Sequence, residues 1–307
     1  MKQAIIDIGS NSIRLTLYET DSQSFRILFR EKEMAGLAGY VEKGELTAEG
    51  IECACRGLLS FQSILQALEI EKVQVFATAS LRNISNTEQA LAVIHAATSY
   101  SIEVLSGEEE ALLGYAGAMQ ELHLTSGIFL DIGGASTELV AFDQGNPMNY
   151  ASYSVGSLSL YRHCVKKILP GPSSIKRLHE EIETNISIKE EELQPCPLLV
   201  GVGGTARAVL KLARSYFKIS NDCNSITASQ LDELCSFLCK GKKEAIDLIL
   251  KLEADRIHTI LPGLLILQHI FHLYQAQHMV ICKYGVREGY LCQKILRKNI
   301  VTHKTEN

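Results

Sequence analysis

The chain has 307 residues, of which 46% are hydrophobic and 21% are charged, and its formal net charge is −5. This length and composition allow a sizeable buried core and about two domains, which excludes a largely disordered protein. The negative charge argues against a general nucleic-acid coat protein and against an anchor on a membrane surface.

The apolar segments of the sequence are too short or too interrupted to span a membrane. The most apolar one, residues 260–271, contains Pro262, Gln268 and His269 and falls short of the roughly 20 apolar residues that a spanning helix needs. The first residues lack the apolar run of a signal peptide and soon include Asp7. We therefore expect a cytoplasmic protein.

The nine cysteines do not follow a metal-binding pattern. Cys235 and Cys239 are four residues apart and could share a helix face, while Cys53 and Cys55 are two apart. Because zinc sites use other spacings, we interpret the cysteines as small buried hydrophobic residues in a reducing compartment.

Apolar periodicity predicts the elements of the first half of the chain. Alternating residues indicate three strands with short links, an antiparallel meander, after which helical and strand patterns alternate. The predicted elements are strands at 4–8, 13–17 and 25–29, a helix from the N-cap Thr47 to Leu68, a strand at 73–76, a helix at 87–97, a strand at 102–105 and a helix at 107–122. This order predicts a mixed sheet with right-handed crossovers.

The segment around Asp7 is repeated around Asp131, about one domain length further along the chain. In both copies an apolar strand ends in Asp-Ile-Gly and is followed by a small polar turn and a second alternating strand. The repeat predicts two related domains that face each other across a cleft, residues 1–122 and residues 123–307. The second half continues with predicted strands at 148–155 and 198–202 and predicted helices at 174–183, 205–217, 228–239, 261–274 and 287–297.

The two Asp-Ile-Gly turns are suited to bind phosphate and a metal ion. Glycine lets phosphate oxygens approach the backbone N–H groups, and hydroxyl and amide side chains add donors. Asp7 and Asp131 end their strands where they are suited to hold Mg²⁺, directly or through water. The candidate phosphate ligands are Gly9, Ser10, Asn11, Ser12, Gly133, Gly134, Ser136 and Thr137. One such turn is typical of an unliganded hairpin, whereas two in repeat favour a ligand.

Two further segments carry candidate phosphate ligands. Gly203, Gly204 and Thr205 lie between a strand and a helix, where free N–H groups could bind a phosphate, although a tight turn is the alternative interpretation. Arg82 follows a buried strand and could also bind phosphate, although an arginine there is often a solvated surface residue.

Three consecutive glutamates, residues 108–110, begin the predicted helix that follows Ser106. Acidic residues commonly stabilise a helix N-terminus, but three after Ser-Gly exceed what capping needs. We predict that Glu110 points into the cleft, where it would orient a water molecule and accept its proton.

This ordered series of motifs resembles the exopolyphosphatase / guanosine pentaphosphate phosphohydrolase (Ppx/GppA) family of the actin-like, ribonuclease-H-like ATPase superfamily. The motifs are Asp7-x-Gly-Ser-Asn-Ser, Thr78-x-Ser-Leu-Arg82, Ser106-Gly-x-Glu-Glu-Ala, Asp131-Ile-Gly-Gly-x-Ser-Thr-Glu-Leu, Gly203-Gly204-Thr205, Leu261-Pro262-Gly263-Leu264-x-Ile266-Leu267 and Gly285-Val286-Arg287-Glu288-Gly289. The resemblance covers nearly the whole chain, and the length is similar to that of the short two-domain members.

The resemblance implies an α/β fold of two ribonuclease-H-like domains with an active site in the cleft between them. It implies Mg²⁺-dependent hydrolysis of a terminal phosphoanhydride bond, which releases orthophosphate. It assigns the catalytic base to Glu110 and metal contacts to Asp7, Asp131 and Glu138.

Three departures from the family pattern bear on substrate preference. Ala135 stands where the family usually has a third glycine, and Leu112 replaces the arginine that often follows Glu-Glu-Ala. Residues 156–160 also lack the arginine that is common there.

Alternative functions remain open at the level of sequence. They are a guanosine pentaphosphate phosphohydrolase, a phosphotransferase of the same superfamily, and a non-catalytic sensor of polyphosphate or an alarmone. Basic residues that would hold a long polyanion favour polyphosphate: Lys283, Arg287, Lys294, Arg297, Lys298 and Lys304 near the end of the chain, Lys166, Lys167, Lys176 and Arg177, and the pair Lys211 and Arg214. The expected partners are therefore polyphosphate or guanosine pentaphosphate, without nucleic acid or membrane, and a homodimer is left open.

Overall fold

The computed structural model describes residues 1–21, 24–188 and 193–297. The chain forms two compact units, Met1–Gly107 and Glu108–Asn307. The division falls at the start of the helix that carries the three glutamates, whereas the sequence analysis sets the domain boundary after that helix, at residue 122. Where the functional domains divide stays a prediction.

The first unit is built on one five-stranded sheet with helices. Its elements are β1 (Lys2–Ile8), β2 (Ile13–Thr20), β3 (Phe25–Glu33), β4 (Val41–Glu42), β5 (Glu45–Leu46), α1 (Ala48–Ala67), β6 (Val73–Ala77), α2 (Ala79–Arg82), α3 (Thr87–Thr98) and β7 (Ile102–Val104), with a 3₁₀ turn at Leu37–Tyr40. The strand order is β3-β2-β1-β6-β7, and β4 and β5 pair separately. Strands β1, β2 and β3 pair antiparallel, whereas β6 and β7 join β1 in parallel. The predicted meander and mixed sheet are confirmed.

Helix α1 shows how the apolar pattern builds the first core. Its buried residues include Ile51, Leu58 and Phe61, which recur at helical spacing and join one apolar cluster with the sheet. The Thr47 side chain accepts a hydrogen bond from the Gly50 N–H at 3.2 Å, which confirms the predicted N-cap.

The second unit has a six-stranded sheet and more helices. Its elements are α4 (Gly107–Met119), β8 (Gly127–Ile132), β9 (Thr137–Asp143), β10 (Asn146–Tyr153), α5 (Ser157–Cys164), α6 (Pro172–Asn185), β11 (Leu198–Val202), α7 (Gly203–Phe217), β12 (Ser225–Thr227), α8 (Ala228–Cys239), α9 (Lys243–Glu253), α10 (Ile260–Leu273), β13 (His278–Ile281) and α11 (Val286–Tyr290). A 3₁₀ turn at Ala254–Arg256 precedes α10, and a π-helical turn at Leu291–Ile295 follows α11.

The internal repeat is visible in the two sheets. The second sheet has the order β10-β9-β8-β11-β13-β12, and its first five strands reproduce the order and directions of the first sheet. Strand β12 is an addition that pairs antiparallel with β13 at the edge. The Asp-Ile-Gly segments occupy equivalent places, because each ends the first strand of an antiparallel pair.

Helix α10 explains the most apolar stretch of the sequence. All residues from Ile260 to Leu267 are buried, and the leucines and isoleucines among them are at most 2% exposed, since the helix lies among α5, α6, α7 and α8. An apolar pattern on every face is typical of such a central helix. Among the residues that the structure describes, no helix has the length and apolar character needed to cross a membrane.

The structure corrects several predicted elements. Helices α5 and α9 are absent from the predictions, α4 ends at Met119, and the predicted helix at 287–297 is the short α11 followed by the π-helical turn. Helix α5 follows Gly156 and has Ser157 and Ser159 in its first turn, and glycine and serine are poor helix formers by themselves. Hydrogen bonds to the turn that follows β8 stabilise its first turn.

Candidate active site

The turn that follows β8 is closed in the same way as the turn that follows β1. The Gly133 N–H donates to the Ser136 carbonyl at 2.9 Å, and the Gly9 N–H donates to the Ser12 carbonyl at 3.1 Å. A Cβ on either glycine would lie 3.1 Å from the accepting oxygen. The backbone N–H of each glycine therefore shapes its turn.

The first residues of helix α5 donate hydrogen bonds to the turn that follows β8. The Ser157 N–H and hydroxyl both donate to the Gly133 carbonyl, and the Leu158 N–H donates to the Gly134 carbonyl at 2.9 Å. A Cβ on Gly156 would overlap the backbone of this turn. The carbonyl oxygens of Gly133 and Gly134 therefore point towards α5. Residues 156–158 contact and stabilise this turn, which the sequence analysis did not predict.

Three carboxylates come together beside this turn. Asp131 at the end of β8 lies directly opposite Glu138 on β9 in the antiparallel register. Glu138 is 2% exposed, and burial together with the charges of Glu110 and Asp131 raises its pKa well above the usual value. The Ser152 hydroxyl of β10 donates to Glu138 Oε1 at 2.8 Å. Ser152 belongs to no motif, and its pairing could be found only from the strand register.

Glu110 lies in the first turn of α4 and is partly buried, whereas Glu108 is exposed. Glu109 Oε1 is 3.2 Å from Lys294 Nζ, so its charge is paired on the outer side of the helix. The three glutamates therefore differ in environment, and Glu110 is the one whose charge acts on Glu138.

The strand-to-helix turn at Gly203 and Gly204 lies against Asp131, one of the three carboxylates. Gly203 has φ +78°, and a Cβ there would overlap Asp131 Oδ1. The fifteen-residue helix α7 begins here without a side-chain cap. The N-terminal end of the helix, with its partial positive charge, therefore lies beside the Asp131 carboxylate. The Thr205 hydroxyl donates to the Ile132 carbonyl at 2.9 Å, which ties the turn to the end of β8.

Arg256 is a site residue that sequence analysis missed. Its guanidinium group lies against Gly204, where a Cβ would overlap Nη2, and Nε is 3.5 Å from Glu253 Oε2. Burial lowers its pKa, while the charges of Glu253, Asp255 and Asp131 raise it. An arginine remains protonated under such conditions, so a buried positive charge lies beside the α7 N-terminus. Its sequence signal was weak, namely one arginine shortly before Leu261-Pro262-Gly263.

The first unit presents a turn with different charge. Asp7 is 8% exposed and lies opposite Arg14 of β2. Arg14 occupies the register position that Glu138 occupies in the second unit. Arg14 Nε donates to the Ser12 hydroxyl at 3.0 Å. The turn of the first unit therefore combines an acidic and a basic residue, whereas that of the second unit combines two acidic ones.

The other predicted ligands of the first unit lie near the same strand ends. Ser10 and Ser12 are each 5% exposed. Arg82 ends α2 and donates from Nη1 to the Leu105 carbonyl at 3.2 Å. The carbonyls of Ser10 and Asn11 accept from the Ala38 and Gly36 N–H groups.

The neighbouring carboxylates of Asp131 and Glu138 are candidate ligands for a metal ion. Within the described residues, no group of three or more His, Cys, Asp or Glu side chains is arranged to hold a metal ion alone. Mg²⁺ is usually held by one or two carboxylates together with water and substrate phosphates. Asp131 and Glu138 provide hard oxygen donors in a crowded anionic environment. This donor set fits Mg²⁺ that binds together with a phosphate substrate.

Several of the predicted basic residues already have protein partners. Lys211 lies 3.0 Å from Glu253 Oε1, and Arg177 and Arg214 donate to backbone carbonyls. Lys298 and Lys304 lie outside the described residues. Lys294 pairs with Glu109 and so lies beside the first turn of α4.

The comparisons with known proteins agree with these features. The family model described as the Ppx/GppA phosphatase family matches residues 16–298. The chain belongs to the Ppx/GppA phosphatase family. It is 27% identical over 292 residues to a Haemophilus influenzae protein named "Putative exopolyphosphatase", with 94% of this chain and 90% of that protein covered.

Solved structures of Ppx/GppA proteins share the fold. An Aquifex aeolicus family member has a TM-score of 0.77 at 24% identity and covers 97% of this chain and 99% of its own. An exopolyphosphatase from Cytophaga hutchinsonii has a TM-score of 0.82 at 20% identity and covers 98% and 99%. The predicted family and α/β fold are confirmed, and the chain is an enzyme of the phosphoanhydride hydrolase type.

The contact between Gly203 and Asp131 yields a testable prediction. Gly203→Ala should lower kcat at least tenfold, because its Cβ would displace the Asp131 carboxylate in addition to straining a positive φ. Gly241→Ala is the matched control, since Gly241 has φ +59° with no atom within 4 Å of a Cβ. Both variants should lose thermal stability from backbone strain, and Gly203→Ala should lose more because of the additional overlap. Equal phosphate-release rates in the two variants would contradict the contact.

Proposed function

We propose that the chain is an exopolyphosphatase, which releases orthophosphate from the end of inorganic polyphosphate by Mg²⁺-dependent hydrolysis. The observation that carries the proposal is the grouping of Glu110, Asp131 and Glu138 beside two glycine-rich turns. Phosphoryl transfer asks a protein mainly for positioning and charge neutralisation. The group offers oxygen donors for a metal and one further carboxylate for a water molecule.

Glu110 is the proposed catalytic base. It orients a water molecule in line with the terminal phosphate and accepts its proton as the phosphoanhydride bond breaks. Asp131 and Glu138 hold Mg²⁺, which when bound offsets the negative charge of the phosphate oxygens. Arg256 adds a positive charge beside the α7 N-terminus.

Phosphate binding is assigned to the glycine-rich turns and to their polar neighbours. In the second unit the proposed ligands are Gly133, Gly134, Ser136, Thr137, Gly203, Gly204 and Thr205. In the first unit they are Gly9, Ser10, Asn11, Ser12 and Arg82, and Asp7 is a proposed metal ligand. Arg14, opposite Asp7, makes the first turn a better anion site than an acidic pair would be.

Polyphosphate is the proposed substrate, with guanosine pentaphosphate as the alternative. The name of the Haemophilus influenzae relative and the placement of Lys294 beside α4 support this choice. All nine cysteines are free thiols, which supports a reducing, cytoplasmic location.

Phosphate release from a panel of substrates tests the proposal. Purified protein with Mg²⁺ should release orthophosphate fastest from long-chain polyphosphate, and chelation of the metal should stop the release. Faster release from guanosine pentaphosphate would replace the substrate assignment. Phosphate transfer that needs an added acceptor would indicate a kinase, and tight polyphosphate binding without release would indicate a sensor.

A further inference from the structure

Outside the candidate active site, two thiols face each other on α8. The sulfur atoms of Cys235 and Cys239 are 3.9 Å apart. Cys235 is buried, at 3% exposure, whereas Cys239 is partly exposed and is the last residue of the helix. The pair therefore combines a protected thiol with an accessible one.

A chain of hydrogen bonds fixes the buried thiol. Gln268 Nε2 of α10 donates to Asp232 Oδ1 at 2.7 Å, so the Gln268 Oε1 atom faces Cys235. Cys235 Sγ donates to this oxygen at 3.1 Å. His272 Nε2 lies 3.0 Å from the same Asp232 oxygen. The contact with Cys239 and burial both raise the pKa of the Cys235 thiol, so Cys239 is the thiol that ionises first.

We propose that Cys235 and Cys239 are an oxidative modification site that closes to a reversible intrahelical disulfide in the presence of hydrogen peroxide. The Cys239 thiolate attacks a peroxide oxygen, an S–O bond forms, and the O–O bond breaks with release of water after protonation. The Cys235 sulfur then attacks the Cys239 sulfur, an S–S bond forms, and the sulfenic oxygen leaves as water. The two thiols together lose two electrons, and one peroxide is reduced to two waters.

The position of Cys239 allows the sulfur atoms to approach. Cβ atoms four residues apart on a helix are about 5–6 Å apart, whereas a disulfide needs about 3.5–4.5 Å. Because Cys239 ends α8 and the chain turns away at Gly241, with φ +59°, the last turn can tighten without moving the helix body. The resulting bond is strained, and strained disulfides are the easily reduced ones.

Peptide mass spectrometry of the full chain in a Cys223→Ser background tests the inference. Cleavage after Lys218 and Lys240 leaves Cys235 and Cys239 as the cysteines of one peptide. After treatment with hydrogen peroxide and alkylation under denaturing conditions, this peptide should be unalkylated and lighter by two hydrogen atoms. Treatment with dithiothreitol should restore two alkylated cysteines.

Two controls separate the disulfide from general oxidation. In a Cys235→Ser variant, dimedone should trap Cys239 as its sulfenic acid, because the resolving thiol is missing. Cys53 and Cys55, also close in sequence, should remain reduced thiols and should therefore be alkylated in the same sample. The inference is wrong if both α8 cysteines remain alkylated after peroxide, if dimedone traps Cys239 while Cys235 is present, or if Cys239 pairs with another cysteine. These readouts do not depend on phosphate release.

Discussion

Glu110→Gln is expected to lower kcat for phosphate release by about 10²–10⁴-fold, which is the contribution typical of a general base. Glutamine keeps the size of the side chain and can still hold a water molecule, but it cannot accept the proton. Substrate affinity should stay within a few-fold of that of the wild type. Initial rates over a range of polyphosphate concentrations, with binding measured by equilibrium titration, separate the two quantities.

The environment of Glu110 adds a second expectation for the same variant. Its negative charge raises the pKa of buried Glu138, so removing that charge relieves repulsion in the folded protein. The melting temperature should therefore be unchanged or higher, which distinguishes a catalytic loss from unfolding. Glu108→Gln changes an exposed neighbour on the same helix turn and should leave the rate unchanged. Similar rates in the two variants would remove Glu110 from the reaction.

The parts of the site that sequence analysis predicted are those built from local patterns. The Asp-Ile-Gly turns are predictable because glycine and small polar residues close them through a hydrogen bond between residues three apart. The opposition of Asp131 and Glu138 follows from antiparallel pairing across the same short turn. Glu110 was singled out through its motif, and its charge acts on Glu138, while its role as the base stays a prediction.

The parts that were missed depend on contacts that are distant in the chain. Arg256 reaches Gly204 from the turn before α10, and a single arginine that follows Glu253 and Asp255 does not reveal such a contact. Helix α5 has a weak intrinsic preference, and its first turn is stabilised by donating N–H groups to the carbonyls of Gly133 and Gly134. Local propensity cannot predict an element that a distant turn stabilises.

The two turns differ in charge at one position of the repeat. The repeat aligns Arg14 with Glu138, and the strand register places them opposite Asp7 and Asp131. The residue opposite the aspartate is therefore basic in the first unit and acidic in the second unit. This difference supports the proposal that the first turn contributes to anion binding beside its proposed metal ligand Asp7, whereas both acidic residues of the second turn are proposed metal ligands.

Asp131→Ala is expected to abolish phosphate release. The variant removes one of the two proposed metal ligands of the second unit, and the phosphate charge is then no longer offset. The loss of Asp131 removes its favourable interaction with Arg256 but also relieves its repulsion of buried Glu138, so the melting temperature should change little. Asp131→Asn removes the charge and keeps the shape of the side chain, and it should also lose most activity.

A metal titration shows whether the Asp131 effect acts through the cation. For Asp131→Asn, the Mg²⁺ concentration that gives half-maximal rate should rise, whereas a purely structural defect would lower the rate at every Mg²⁺ concentration alike. Asp143→Ala is the matched control, since Asp143 is an exposed aspartate at the other end of β9. Its rate and its Mg²⁺ dependence should equal those of the wild type. Activity of Asp131→Ala within a few-fold of the wild type would exclude Asp131 from the site and would leave Glu138 without its proposed partner.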